Sequence, residues 1–265
     1  MLYALIGALV STCSAIHPVH PIPAIIPLVY EYAVDFSTIA TVEQFQCLKK
    51  SNYSTVFLRV YGPQYGQVQF DQNVIRNAHR AAEAGLNVEF YMTPQIRPHN
   101  DGANQFREIF DRLVRGGIRM QTLWVQVVSP EYWNPYTLDN VRLLGNISNQ
   151  AKNYGVGVGF YTQQMDWQGI TGGYQFLNAS LWYVNTLEDG SETTPNFDDF
   201  ISFANFKKPT VKQFAKYYRI CGLLVNRNVY QVTWDFEHPV DVAPTEEPPT
   251  IEVQTEEPFS PSPYF

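Results

Sequence analysis

From residue 32 onward the chain alternates short apolar runs with segments whose apolar residues recur every three or four positions. The runs fall at 32–36, 55–61, 87–93, 122–129, 155–162, 179–185, 210–215 and 223–229. They are rich in Val, Phe and Tyr, as strands are. Between the early runs, Val42, Phe45 and Leu48 mark a first helix, and Val74, Ile75, Ala78, Ala81 and Ala82 a second. Phe106, Ile109, Phe110 and Leu113 mark a third, and Val141, Leu144 and Ile147 a fourth, each at helical spacing. Glycines at Gly85, Gly116, Gly117 and Gly155 sit where such helices would end.

This alternation predicts an α/β fold, either a doubly wound sheet or a parallel β/α barrel of the TIM type. Eight runs favour the barrel, and 265 residues fit one such unit. After Thr186 the helical segments thin out, so the last third is expected to be irregular. The run at 122–128 is apolar on both faces except at Gln126, as a doubly buried strand reads. Side chains two apart share a face, which groups Trp124, Gln126 and Val128.

The ends of the chain read differently. Residues 2–10 are apolar and STCSA follows, with Cys13 and Ala15 small at the −3 and −1 positions of a cleavage site. A signal peptide over 1–15 is therefore expected, since the run is far below the roughly 20 residues that span a membrane. A Pro-rich leader fills 16–31, the folded domain 32–238, and an acidic, Pro-rich tail 239–265. In the tail TEEPP recurs as TEEPF, a composition with little to bury.

Charge follows that division. The net charge is −7, but six of the 25 acids lie from His238 onward with no Lys or Arg, so 19 acids face 18 bases elsewhere. No basic face is visible, which argues against a nucleic-acid partner. The five histidines are scattered, so no metal-ligand spacing and no cofactor motif is present. If Cys13 leaves with the signal, Cys47 and Cys221 remain, an even number suited to an oxidising compartment. Barrel closure makes the first and last strands neighbours, so a Cys47–Cys221 bridge is geometrically reasonable, with Cα atoms under about 7 Å apart. Sequons at Asn52, Asn146 and Asn178 fit the same secreted, monomeric glycoprotein.

The segment LWVQVVSPEYW at 123–133 resembles the fourth strand of glycoside hydrolase family 25 lysozymes, animal and protist branch, where the pattern is close to L-W-L-D-I-E-G-x-x-Y-W. YAVDFS at 32–37, FQCLKKSNYSTVFLRVY at 45–61, GVGVGFYTQQMDW at 155–167, LWY at 181–183, KPTVKQFA at 208–215 and CGLLVNRNVY at 221–230 resemble other parts of that family in order. The resemblance covers about 32–230 and implies a barrel acting on peptidoglycan or a related glycan.

It also implies a depleted catalytic set. Asp35 matches the retained acid of the first strand, while Gln126 and Val128 stand where the family has Asp and its general-acid Glu, and Asn226 where it has a last-strand Asp. Cleaving a glycosidic bond needs a proton for the leaving oxygen and negative charge near the cationic ring. Valine supplies no proton. The expectation is a catalytically impaired, sugar-binding or immune-regulatory protein. The alternatives are a muramidase using Asp35 with a relocated acid such as Glu131, or a scaffold without ligand. Asp166 reads as a solvated loop carboxylate. Tyr91, Tyr161 and Trp182 are the candidate sugar-stacking aromatics, although core packing is the commoner fate of aromatics in strands.

Overall fold

A computed structural model describes residues 29–64, 66–96 and 101–232. The signal-like segment 1–15, most of the leader and the tail lie outside the described residues. Nine strands and five helices follow one another: β1 (Val29–Phe36), α1 (Val42–Lys50), β2 (Tyr53–Gln64), β3 (Gln67–Phe70), α2 (Val74–Glu83), β4 (Asn87–Met92), α3 (Gly102–Arg115), β5 (Thr122–Gln126), α4 (Thr137–Asn153), β6 (Gly157–Thr162), α5 (Gln164–Thr171), β7 (Ser180–Val184), β8 (Val211–Ile220) and β9 (Leu223–Val232). A short 3-10 turn, Pro130–Tyr132, follows β5.

The sheet closes on itself in the order β1-β9-β8-β7-β6-β5-β4-β2, with β2 returning to β1 and β3 attached to β2 as an outer hairpin. The barrel is mixed, which corrects the expectation of a parallel one. The pairs from β1–β2 round to β7–β8 are parallel, but β9 runs antiparallel to both β8 and β1. The cause is the connection. Ile220 pairs with Leu223 across a two-residue turn in which Cys221 (φ 54°) and Gly222 (φ 75°) are both left-handed. Such a turn forms a hairpin, whereas a parallel return needs a crossover of a dozen residues or more. The sequence reading missed α5 and β3, and set the first strand three residues late, since β1 begins at Val29.

Local signals explain the helices. Thr41 caps α1 in a reciprocal box with Gln44, and Asp101 caps α3 by accepting from the Ala103 amide. Outward residues of the strands, such as Val56, Leu58, Phe90, Val125 and Phe160, pack beneath Phe45, Leu48, Phe106, Ile109, Ile147 and Trp167 of the helices. No helix joins β7 to β8, and the loop from 185 to 210 covers that flank. There Lys212 is fully buried, and its ammonium donates to the Thr194 carbonyl (2.7 Å) and to Asp199 (2.6 Å).

The inward residues form a separate cluster of Ala33, Phe57, Tyr91, Trp124, Tyr161, Trp182, Val184 and Val211. Trp182 is its hub, with ring centroids 4.4 Å from Phe57, 4.8 Å from Tyr161 and 5.9 Å from Trp124. Gly159 gives Trp124 its room, because a Cβ there would lie 2.3 Å from the indole. The barrel is a filled core whose open chemistry is confined to its mouth.

Cys47 and Cys221 are bridged, with Cα atoms 5.8 Å apart and 174 residues between them in sequence. The bridge pins α1 to the β8–β9 turn. Replacing both cysteines by Ser should lower the unfolding free energy by about 3–5 kcal/mol in denaturant titrations under oxidising conditions. Gly159→Ala should cost about 1–3 kcal/mol by overpacking against Trp124, read as a lower denaturation midpoint at unchanged slope.

Candidate active site

Asp35 ends β1 with its side chain inside the barrel and is only 4% exposed. Three amides converge on it, two from β9 beside it and one from β8, the next strand round. Gln213 Nε2 (2.9 Å) and Asn228 Nδ2 (2.8 Å) donate to Oδ1, and Asn226 Nδ2 (2.8 Å) donates to Oδ2. The direction of two of these amides is fixed by groups that can only donate. The Trp182 indole N–H donates to Asn228 Oδ1 (2.9 Å), and the Tyr217 backbone N–H to Asn226 Oδ1 (3.3 Å). Their NH₂ groups must therefore face Asp35. The Tyr161 hydroxyl completes the network by donating to Gln213 Oε1 (2.8 Å).

Burial pushes the Asp35 carboxyl above its ordinary range, while the three amides and the Lys216 charge pull the other way. Burial prevails, so the neutral form is favoured more in the folded chain than in the unfolded one. Burial also raises the Tyr91 and Tyr161 phenols, assisted by the Asp35 charge, and keeps both as O–H donors.

The other positions matched by the resemblance lie at the same mouth. Gln126 ends β5 and accepts from the Thr93 hydroxyl. Val128, just past the strand, is half-buried against the inward aromatic cluster, and its carbonyl accepts from the Trp133 indole (3.0 Å). The chain then turns sharply at Ser129, which is left-handed (φ 60°), and Glu131 emerges exposed on the 3-10 turn. Asn226 sits beside Asp35, as described. Among the polar side chains that bond Asp35 there is no second carboxylate.

Asp166 differs from the solvated loop acid that was expected. It lies in the first turn of α5, half-buried, and accepts from Gln163 (3.2 Å). Burial raises its carboxyl, and the nearby Glu131 charge adds to the rise. Of the candidate stacking aromatics, Trp182 is wholly buried, so it offers no face to a sugar and belongs to the core. Tyr91 (6% exposed) and Tyr161 (7%) are nearly as buried and belong to the same inward cluster. Gln213 and Asn228 were not picked out from the sequence. Asn228 shares the inward face of β9 with Asn226, which pairs with Asp35, and Gln213 on β8 pairs with Asn228; that period of two was the available signal. Among the described residues no group of three or more His, Cys, Asp and Glu could hold a metal ion.

A closed β/α barrel with an acid at the end of β1 and polar groups on the neighbouring strands is the architecture of a lysozyme-type glycoside hydrolase. The comparisons agree. The family model for lysozyme-like protein 1 (Lys-1) matches residues 28–214. Lysozyme-like protein 1 of Caenorhabditis elegans is 43% identical over 207 residues, covering 77% of this chain and 69% of that protein. A probable GH family 25 lysozyme 2 of Dictyostelium discoideum is 32% identical over 199 residues, 74% of this chain and 89% of that one. The solved structure of a family GH25 lysozyme from Aspergillus fumigatus superposes with a TM-score of 0.56 at 14% identity, covering 79% of this chain and 96% of that one, and shares the fold. The chain belongs to the lysozyme-like family within glycoside hydrolase family 25.

Because the folded Asp35 holds its proton to higher pH than the unfolded chain does, its contribution to stability is complete at low pH. That contribution is lost as pH rises through the raised value. Asp35→Asn should flatten this part of the stability–pH curve, leaving the slope due to the raised carboxyls of Glu89 and Asp166. It should also cost about 1–3 kcal/mol overall, because three donors converge on one side chain. Thermal unfolding of both proteins across pH 3–8 checks both parts; equal slopes would contradict the burial-raised carboxyl.

Proposed function

We propose that this chain is a secreted, glycosylated, lysozyme-like protein that binds peptidoglycan or a related glycan and has lost most of its hydrolytic power. The observation that carries the reading is Val128. The position matched to the family's proton donor bears a side chain with no exchangeable proton, packed onto the aromatic core. Loss of a general acid alone costs on the order of 10²–10⁴ in rate. Gln126 and Asn226 keep hydrogen bonding but not the negative charge that stabilises a cationic ring. Asp35 remains as a buried, amide-held acceptor suited to orienting a sugar hydroxyl. Secretion is supported by the Cys47–Cys221 bridge and by the exposure of Asn52, Asn146 and Asn178.

A relocated acid is the second reading, and the half-buried Asp166, raised by burial and flanked by Glu131, is what favours it. In that case Asp35 and one of these two acids would share the chemistry. Purified protein should fail to clear bacterial cell walls at any pH while still sedimenting with them. The triple change Gln126→Asp, Val128→Glu, Asn226→Asp should raise turnover far more than Val128→Glu alone, because such residues act as a unit. Clearing by the unmodified chain that disappears in Glu131→Gln or Asp166→Asn would establish the relocated acid instead.

A further inference from the structure

Strand β8 does not run straight past the mouth. Its pairing with β9 breaks between Gln213 and Ala215 and again between Ala215 and Tyr218. Ala215 pairs with Arg227 and Tyr218 with Val225, so Lys216 and Tyr217 together oppose the single residue Asn226. That is a β-bulge, a device found at barrel rims and beside active sites that re-aims side chains. The residue across from it is the amide that holds Asp35 Oδ2, and the bulge's own Tyr217 N–H fixes that amide's direction.

The two bulged residues are unusual in complementary ways. Tyr217 is a non-glycine strand residue at φ 63°, a conformation that L side chains rarely adopt, and it is 74% exposed. A strained position that presents an uncovered aromatic ring is poor economy for a core and a reasonable one for a ligand contact. It stands near enough to Tyr161 to perturb that phenol, which places it at the mouth. Lys216 is half-exposed, takes part in no ion pair among the described residues, and lies near enough to both Asp35 and Asp166 to draw their carboxyls downward. Glu131 on the turn after β5 and Asp166 in the first turn of α5 lie together, so an anionic substituent on a ligand is steered toward the β8 side, where Lys216 stands.

Resting on the glycan-binding reading, we propose that the β8 bulge is a glycan-reading clamp: the Tyr217 ring stacks on a sugar, and the Lys216 ammonium pairs with a carboxylate carried by that sugar. The clamp replaces the stacking role expected of the buried Trp182. It also gives the cleft a preference for acidic over neutral glycans, since an unpaired cation at the rim rewards a carboxylate and is indifferent to an acetamido sugar alone.

The test uses two soluble tetrasaccharides that share a β-1,4 backbone: a peptide-free peptidoglycan tetrasaccharide, whose muramic residues carry free lactyl carboxylates, and chitotetraose, which lacks them. Calorimetric titration of the full chain should give tighter binding to the former. Lys216→Met keeps the aliphatic stem and should erase that preference, a change of about two- to five-fold. Tyr217→Gly removes the ring where the backbone already suits glycine, and should weaken both sugars about ten-fold, while Tyr217→Phe stays near the parent. Preference retained in Lys216→Met, or unchanged affinity in Tyr217→Gly with an unaltered melting curve, would overturn the clamp and leave glycan binding standing. Failure of the parent chain to bind either sugar would overturn the glycan reading itself and the clamp with it.

Discussion

Barrel closure by an antiparallel β9 is the constraint from which the site follows. Inserting β9 between β8 and β1 brings Gln213, Asn226 and Asn228 within hydrogen-bond distance of Asp35, although they lie 178 to 193 residues away in sequence. The insertion rests on a two-residue left-handed turn and on the disulfide that fastens that turn to α1. Loss of either would loosen the three strands that carry the mouth's polar groups, while β4 to β7 kept their own parallel pairing.

Inside that closure, a carboxyl survives in a nearly dry environment because every side chain bonded to it is a neutral amide donor. A second acid at the Asn226 position would have met Asp35 at close range and competed for protons, the usual way carboxylate pairs push their titrations apart. With amides the cleft gives up that tuning and gains a fixed acceptor geometry, locked by an indole and a backbone N–H that can only donate.

The mouth is therefore asymmetric. Glu131 and Asp166 gather on the β5–β6 side, and Lys216 with Tyr217 on the β8 side, with the amide-held Asp35 beneath the latter. The aromatic residues that a reading of strands alone would assign to sugar are spent on filling the barrel, since eight inward-tapering strands leave room for side chains and for little else. An exposed ring reaches the mouth at Tyr217, where the backbone departs from regular strand geometry.

The sequence by itself determined the class of fold, the number of barrel strands and the uncharged state of the positions Gln126, Val128 and Asn226, because these depend on local periodicity and residue type. Tertiary structure decided the direction of β9, the burial of Trp182, the half-buried setting of Asp166 and the convergence of Gln213 and Asn228 on Asp35. Each of these depends on which strands become neighbours when the sheet closes, and a period of two along a strand says which face a residue occupies without saying what will stand opposite it.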